Sequence, residues 1–235
     1  MRKYLLTISL GFNLLFVVGL WSALQRSGGW RYAWYRFQHD EAGLYHHRQQ
    51  LFEQLPAQLG AIIFLGDSQT EQCEWRELLG PDLPILNRGI VGDHVDGLAG
   101  RLEEVLRHQP AQIFLLVGIN DLLFGQPLAD IESRYREIVK KIIGRSPATQ
   151  LILESILPVN NAVKNVGVQN TQIRALNVRI AQIAQDYALS FAEVHGPLAD
   201  AGGNLSSLYT EDGIHLNSAG YLVWKQQVQP FLKSK

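Results

Sequence analysis

From Ala61 onward the chain alternates short apolar runs with longer segments of helical period. The runs are Ala61–Leu65, Pro84–Asn87, Ile113–Val117, Leu151–Glu154 and Leu189–Ala192. The helical segments are Glu71–Leu79, Val95–His108, Leu128–Ile143, Gln169–Tyr187 and a last one from Ser218 to Leu232. Apolar runs without polar alternation are the pattern of strands buried on both faces. Strand–helix alternation predicts an α/β fold, a parallel sheet of five strands with helices on both sides. No repeat, low-complexity tract or Pro/Gly-rich linker interrupts the series, so residues 59–235 are expected to form one domain. Hydrophobic residues make up 46% of the chain, enough for a large core.

The beginning of the chain reads differently. Arg2 and Lys3 precede Tyr4–Leu24, a stretch without a charged residue. About 20 such residues suffice to cross a bilayer as a helix. Trp21-Ser22-Ala23 is a poor signal-cleavage site because it puts a bulky residue where a small one is wanted, and no cysteine follows. Residues 1–25 are therefore expected to be an uncleaved transmembrane anchor, in preference to a cleaved signal or a buried helix. The early positive charges put the N-terminus in the cytoplasm and the domain in the periplasm or outside the cell. Residues 26–58 form a connecting segment. Its aromatics (Trp30, Tyr32, Trp34, Tyr35) suit either a headgroup region or packing on the domain, and it ends in a helix over Leu44–Leu55 closed by Pro56.

Composition removes several function classes. The net charge is -1 and no long basic run occurs, so nucleic acid is not an expected partner. Cys73 is the only cysteine, which excludes an intramolecular disulfide and a cysteine-based metal cluster. His46 and His47 are adjacent in a helical segment and point apart, poor geometry for one metal. No cofactor or metal is expected.

The chemistry-bearing residues sit where the runs end. Gly66-Asp67-Ser68 follows the first run, Asn87-Arg88-Gly89 the second and Gly118-Ile119-Asn120-Asp121 the third. Asp212-Gly213-Ile214-His215 precedes the last helix. In open α/β sheets ligands bind at the carboxyl ends of the strands. Serine is a weak nucleophile that needs an adjacent base, which His215 supplies and Asp212 orients. A tetrahedral intermediate needs fixed donors; the N–H groups of Ser68 and Gly89 and the side chain of Asn120 are the candidates. Asp67 is read as a structural residue bonding backbone around the serine turn. Candidate substrate-binding residues are Arg88, Asp93 and Asn160. Arg88 fits a structural ion pair better than a contact to an acidic substrate group, and Asp93 fits equally a tie between its loop and the serine turn or a cap on the helix from Val95. Asn160 lies in the long segment Ser155–Val168, which is read as facing the substrate.

Over roughly Ala61–Tyr221 the chain resembles the SGNH, or GDSL-type, hydrolases, whose signature residues match Ser68, Gly89, Asn120 and His215. Gly89-Ile90-Val91-Gly92-Asp93 resembles the branch of platelet-activating-factor acetylhydrolase subunits and bacterial acetylesterases. The resemblance implies a flavodoxin-like three-layer α/β/α sandwich, a Ser–His–Asp triad and metal-free ester hydrolysis. Gln69 stands where many relatives carry an apolar residue and is read as an edge residue bearing on substrate choice. The expected substrate is a short-chain, acetyl ester on carbohydrate or cell-envelope material. The alternatives are a lysophospholipase- or thioesterase-type lipid hydrolase and a catalytically silent glycan-binding module.

Overall fold

The computed structural model describes Asn13, residues 16–19, 21–22 and 43–232. It divides into two units, residues 1–44 and 45–235. In the first, the described residues Asn13, 16–19 and 21–22 are helical. The expected anchor falls mostly outside the described residues, among which no helix is long and apolar enough to cross a membrane.

The first helix of the second unit is α1 (Leu44–Gln54), which belongs to that unit from Tyr45 onward. The sheet comprises β1 (Ile62–Gly66), β2 (Ile85–Gly89), β3 (Gln112–Leu116), β4 (Gln150–Glu154) and β5 (Ser190–Ala192). All pairings are parallel, in the order β2-β1-β3-β4-β5. This is the flavodoxin-like doubly wound order, whose switch point lies between β1 and β3. Both of those strands are buried along their whole length, so each face of the sheet is covered there.

Register places the site. Gly66 pairs with Gly89 on one side and Leu116 on the other, so β1, β2 and β3 end level with one another. A side chain at Gly89 would overlap the backbone of Glu71, and one at Gly66 would overlap Thr70 and the Leu116 carbonyl. Glycine at these ends lets the chain after β1 turn tightly over its neighbours.

Two helices expected as continuous are broken, each by a polar side chain that satisfies or seeks backbone carbonyls, the half-buried Asn87 in one case and the buried Arg101 in the other. Glu71–Leu79 is replaced by α2 (Ser68–Glu71) and α3 (Trp75–Leu79). At the break, Asn87 Nδ2 donates to the carbonyls of Thr70, Glu71 and Cys73, and Trp75 Nε1 donates to Thr70. Carbonyls satisfied by side chains do not need the helix to continue. Val95–His108 becomes α4 (Val95–Gly100) and α5 (Leu102–Leu106). Arg101 at the junction is drawn inward to Asp93 (2.7 Å) and the carbonyls of Gly66 and Arg88. Two further short helices, α6 (Ile119–Leu123) and α9 (His195–Leu198), carry too few turns to show a period in the sequence. The long helices are α7 (Leu128–Arg145), α8 (Asn170–Asp186) and α10 (Ser218–Val228).

An aromatic stack fixes α10 to the sheet. Phe64 lies flat between Trp75 (4.1 Å) and Phe114 (4.6 Å), and Trp75 meets Trp224 edge-on (4.9 Å). Buried rings so arranged contribute about 0.5–1.5 kcal/mol per pair beyond their area. Trp224 Nε1 donates to the buried Glu154 at 2.7 Å, which keeps the indole satisfied. Because α10 is held, the segment just before it is held too.

Candidate active site

Asp67 caps α2: its side chain accepts the Gln69 N–H at 2.9 Å, which turns the chain sharply and leaves Ser68 as the first helical residue. Ser68 Oγ lies 3.0 Å from His215 Nε2. His215 Nδ1 lies 2.7 Å from Asp212 Oδ2, while Asp212 Oδ1 accepts the N–H groups of Ile214 (3.0 Å) and His215 (2.8 Å). The carboxylate takes the Nδ1 side of the ring, which leaves Nε2 to accept from the serine. Burial pushes the Asp212 carboxyl up, but hydrogen bonds from the His215 side chain and these N–H groups outweigh it and hold the carboxyl at about 2. It is ionised at any working pH.

The local fold explains why Asp212 reaches the ring. Gly213 adopts φ +84, a region open to glycine, and a Cβ there would overlap the Asn160 carbonyl. Thr210 Oγ1 accepts the Gly213 N–H (2.9 Å), and the Asn160 N–H donates to the Gly213 carbonyl (2.7 Å). Asn217 caps α10 immediately afterwards.

Asn120 Nδ2 donates to the Asp93 carbonyl at 2.7 Å, which orients the amide and leaves its second hydrogen available. Gly89, expected as an oxyanion donor, is otherwise engaged: its N–H donates to Asn87 Oδ1 at 2.8 Å. Its glycine identity comes instead from the close approach of α2. Gly92, not singled out in the sequence, is the glycine of this loop whose N–H is open. It lies in the turn closed by the Asp93 N–H on the Ile90 carbonyl, with φ +76, and no described residue accepts its N–H. The next residue's carbonyl holds Asn120, so turn and amide are joined. The signal was present in Gly92-Asp93, but Gly89 at the strand end drew the assignment.

None of the three expected substrate-binding residues is open to a ligand. Arg88 is buried, with Nε on Glu104 (3.1 Å), Nη2 beside His108 (3.3 Å) and its guanidinium 4.5 Å from the Phe52 ring. Asp93 is fully buried and bonded by Arg101 and Tyr45. Asn160 is buried; its side chain donates to Leu205 and accepts the N–H groups of Ala162 and Val163. A buried charge must be paired and a buried amide hydrogen-bonded, and these contacts meet that need for all three. The segment Ser155–Val168 is largely a packed connection as well. Asn177 and Asn170 of α8 bond the backbones of Ile156 and Val159, and only a short tip around residues 162–165 is exposed.

Gln69 is also buried rather than at an edge. Its Nε2 donates to the Ile214 carbonyl (3.0 Å), and its own carbonyl accepts the Tyr221 hydroxyl (2.8 Å). It ties the serine turn to the histidine-bearing segment and to α10.

Comparison with known proteins agrees with this fold. A Streptococcus pneumonia protein described as a platelet activating factor candidate is 26% identical, covers 95% of this chain and 99% of its own, and superposes with a TM-score of 0.72. A Bacteroides fragilis acylhydrolase candidate (22% identical, covering 79% and 94%, TM-score 0.68) shares the fold. So does an acetylxylan esterase of Geobacillus stearothermophilus (17%, 77% and 99%, TM-score 0.60). Among curated proteins, the N-acylneuraminate cytidylyltransferase of Escherichia coli is 28% identical over 122 residues. The match takes in 52% of this chain and only 28% of that enzyme's length. The family profile described as GDSL-like Lipase/Acylhydrolase matches residues 64–223, from within β1 into α10, and the chain belongs to that family as a carboxylic ester hydrolase.

Proposed function

We propose that this chain hydrolyses short-chain esters, acetyl esters on carbohydrate or cell-envelope material, by a Ser68–His215–Asp212 acyl-enzyme mechanism. The observation that carries the reading is the unbroken hydrogen-bond chain from Ser68 Oγ through both ring nitrogens to Asp212. His215 takes the serine proton as Oγ attacks the ester carbonyl, and returns it to the leaving alcohol. Water activated by the same nitrogen then releases the acid. The N–H groups of Ser68 and Gly92 and the free amide hydrogen of Asn120 receive the oxyanion. Acetylxylan esterases among the proteins that share the fold favour a carbohydrate ester.

Ser68→Ala should abolish turnover of p-nitrophenyl acetate, and a fluorophosphonate should label the native chain at Ser68. Retained turnover in the variant removes the serine from the mechanism; an unlabelled native chain favours a silent binding module. A lipid ester or thioester is the second reading, favoured by an open surface groove of about 590 Å3 beside the histidine segment, where Leu78, Leu216, Tyr221 and Leu222 lie among the polar Glu74, Glu77 and Asn217. Acetate preferred to octanoate supports the first reading, and the reverse order the second. Residues 1–25 are proposed to anchor the domain on the outer side of the membrane. Sedimentation of the chain with membranes, and its release only by detergent, is the expected result; a soluble, shortened product would refute it.

A further inference from the structure

The helix α1 precedes the family match, yet its side chains reach the loop that shapes the oxyanion pocket. Arg48 Nε donates to the Gly89 carbonyl at 2.8 Å and pairs with Glu71 at 3.2 Å. Glu71 in turn accepts the Val91 N–H. Tyr45 donates its hydroxyl to Asp93 Oδ1 at 3.1 Å. That hydroxyl fits because residue 97 is glycine; a Cβ there would crowd both Tyr45 and Asp93. Both ends of the loop Gly89–Asp93 are therefore gripped from α1, one directly and one through a carboxylate.

The helix is itself secured. Phe52 is buried, with its ring 4.5 Å from the Arg88 guanidinium and 5.0 Å from that of Arg48. Arg107 Nη2 closes the far end by donating to the carbonyls of Phe52 and Leu55, both at 2.6 Å. Val91, at the tip of the loop, is exposed. The rest is held by Ile90 N–H on Gly66, Asp93 N–H on Ile90, Gly89 N–H on Asn87, and by Arg101 and Asn120 on Asp93. The α1 side chains add the grip on the Gly89 carbonyl and on Asp93 Oδ1.

We propose that Tyr45 and Arg48 are positioning residues, which set the loop Gly89–Asp93, and through the Asp93 carbonyl the Asn120 amide, at the place where the oxyanion forms. This rests on the hydrolase reading of Ser68. Partly exposed ion pairs add little to stability. A donor displaced by about 1 Å, in contrast, costs up to about 100-fold in rate. The side chains should therefore matter to the chemical step more than to folding.

The test uses full-length chains carrying Tyr45→Phe, Arg48→Ala, both together, and Arg48→Lys, assayed on p-nitrophenyl acetate. Expected is a loss in kcat of about 10–100-fold for the double variant. KM should stay within about twofold, melting should be nearly unchanged, and Arg48→Lys should keep more activity than Arg48→Ala. Gln50→Ala, on the exposed side of the same helix, should behave as the parent. A double variant with the parent's kcat overturns the proposal, whether or not it melts earlier. If the double variant does not fold, Tyr45→Phe, which removes a single hydroxyl, decides by the same criterion. Activity surviving in Ser68→Ala is a separate outcome that sinks the hydrolase mechanism and not the strap.

Discussion

Asp212 and Asp67 flank the same serine and are driven in opposite directions. Asp212 is half-exposed, meets three donors and is held at about 2. Asp67 is fully buried, accepts one N–H, and has an oxygen with no partner among the described residues. Burial, only partly offset by that N–H and reinforced by the carboxylates of Asp93 and Asp121, pushes it up to about 7. Asp121 repeats the pattern: buried, bonded by the Val95 N–H, and raised to about 7. Burial raises each of these acids, and only at the shallower Asp212 do the donors outweigh it. The rim of the site is built to hold an imidazolium, the floor to hold a turn.

The sharpest way to break this contrast is to neutralise one acid at a time. Asp212→Asn should lower kcat by about 10⁴-fold, since the ring loses both its tautomer and its counter-charge. Asp67→Asn keeps the oxygen that accepts the Gln69 N–H and should stay within about tenfold of the parent. Kinetics on one acetate ester separates the two, and equal losses would erase the distinction between rim and floor. Asn120→Ala comes next: removing one oxyanion donor costs about 10²–10³ in kcat with KM nearly constant.

The sequence exposed the part of the site that lies on strand ends. Ser68 and Asn120 stood out because each follows a glycine at the end of an apolar run, and Asp212 and His215 because they flank Gly213 just before the last helix. The sheet was legible for the same reason, its strands falling within two residues of their apolar runs. What failed were residues whose meaning depends on a distant partner. Arg88 looks like a ligand for an anion until Glu104 and His108 are found beside it. Gly89 looks like a donor until Asn87 takes its N–H. The two helix breaks belong to the same class: Asn87 acts on the first from outside the segment, and Arg101, inside the second, is drawn off by the distant Gly66 carbonyl.

Gln69 joins rim to floor, so its removal measures how far the two depend on each other. Gln69→Leu removes the donor to the Ile214 carbonyl and leaves a largely buried acceptor unmet, a cost of about 1–3 kcal/mol. A fall in kcat of about tenfold, smaller than for Asn120→Ala, is expected if part of that cost appears as misplacement of His215. A variant that loses stability but keeps the parent's kcat would show that Tyr221 and the Asp212 turn hold the histidine without it.

The smallest effect is on stability, and its sign comes from the same two acids. A carboxyl raised from 3.8 to about 7 by folding binds its proton more tightly in the native state. Its contribution is fully present below pH 3.8 and is lost as the pH rises through about 7. Asp212, depressed to about 2, does the reverse: its contribution is present above pH 3.8 and disappears only as the pH falls toward 2. Between these values Asp67, Asp121 and the buried Glu154, itself raised to about 8, set the slope, and the protein should lose stability from about pH 5 to about pH 8. Asp67→Asn and Asp121→Asn should each flatten that limb, by about 1–3 kcal/mol in urea titrations at the two ends. Asp212→Asn should leave this limb untouched, because its carboxylate does not titrate there. If Asp67→Asn leaves the limb as steep as in the parent, that carboxyl is not held neutral by its burial, and a buried solvent molecule bonded to its second oxygen is the physical alternative.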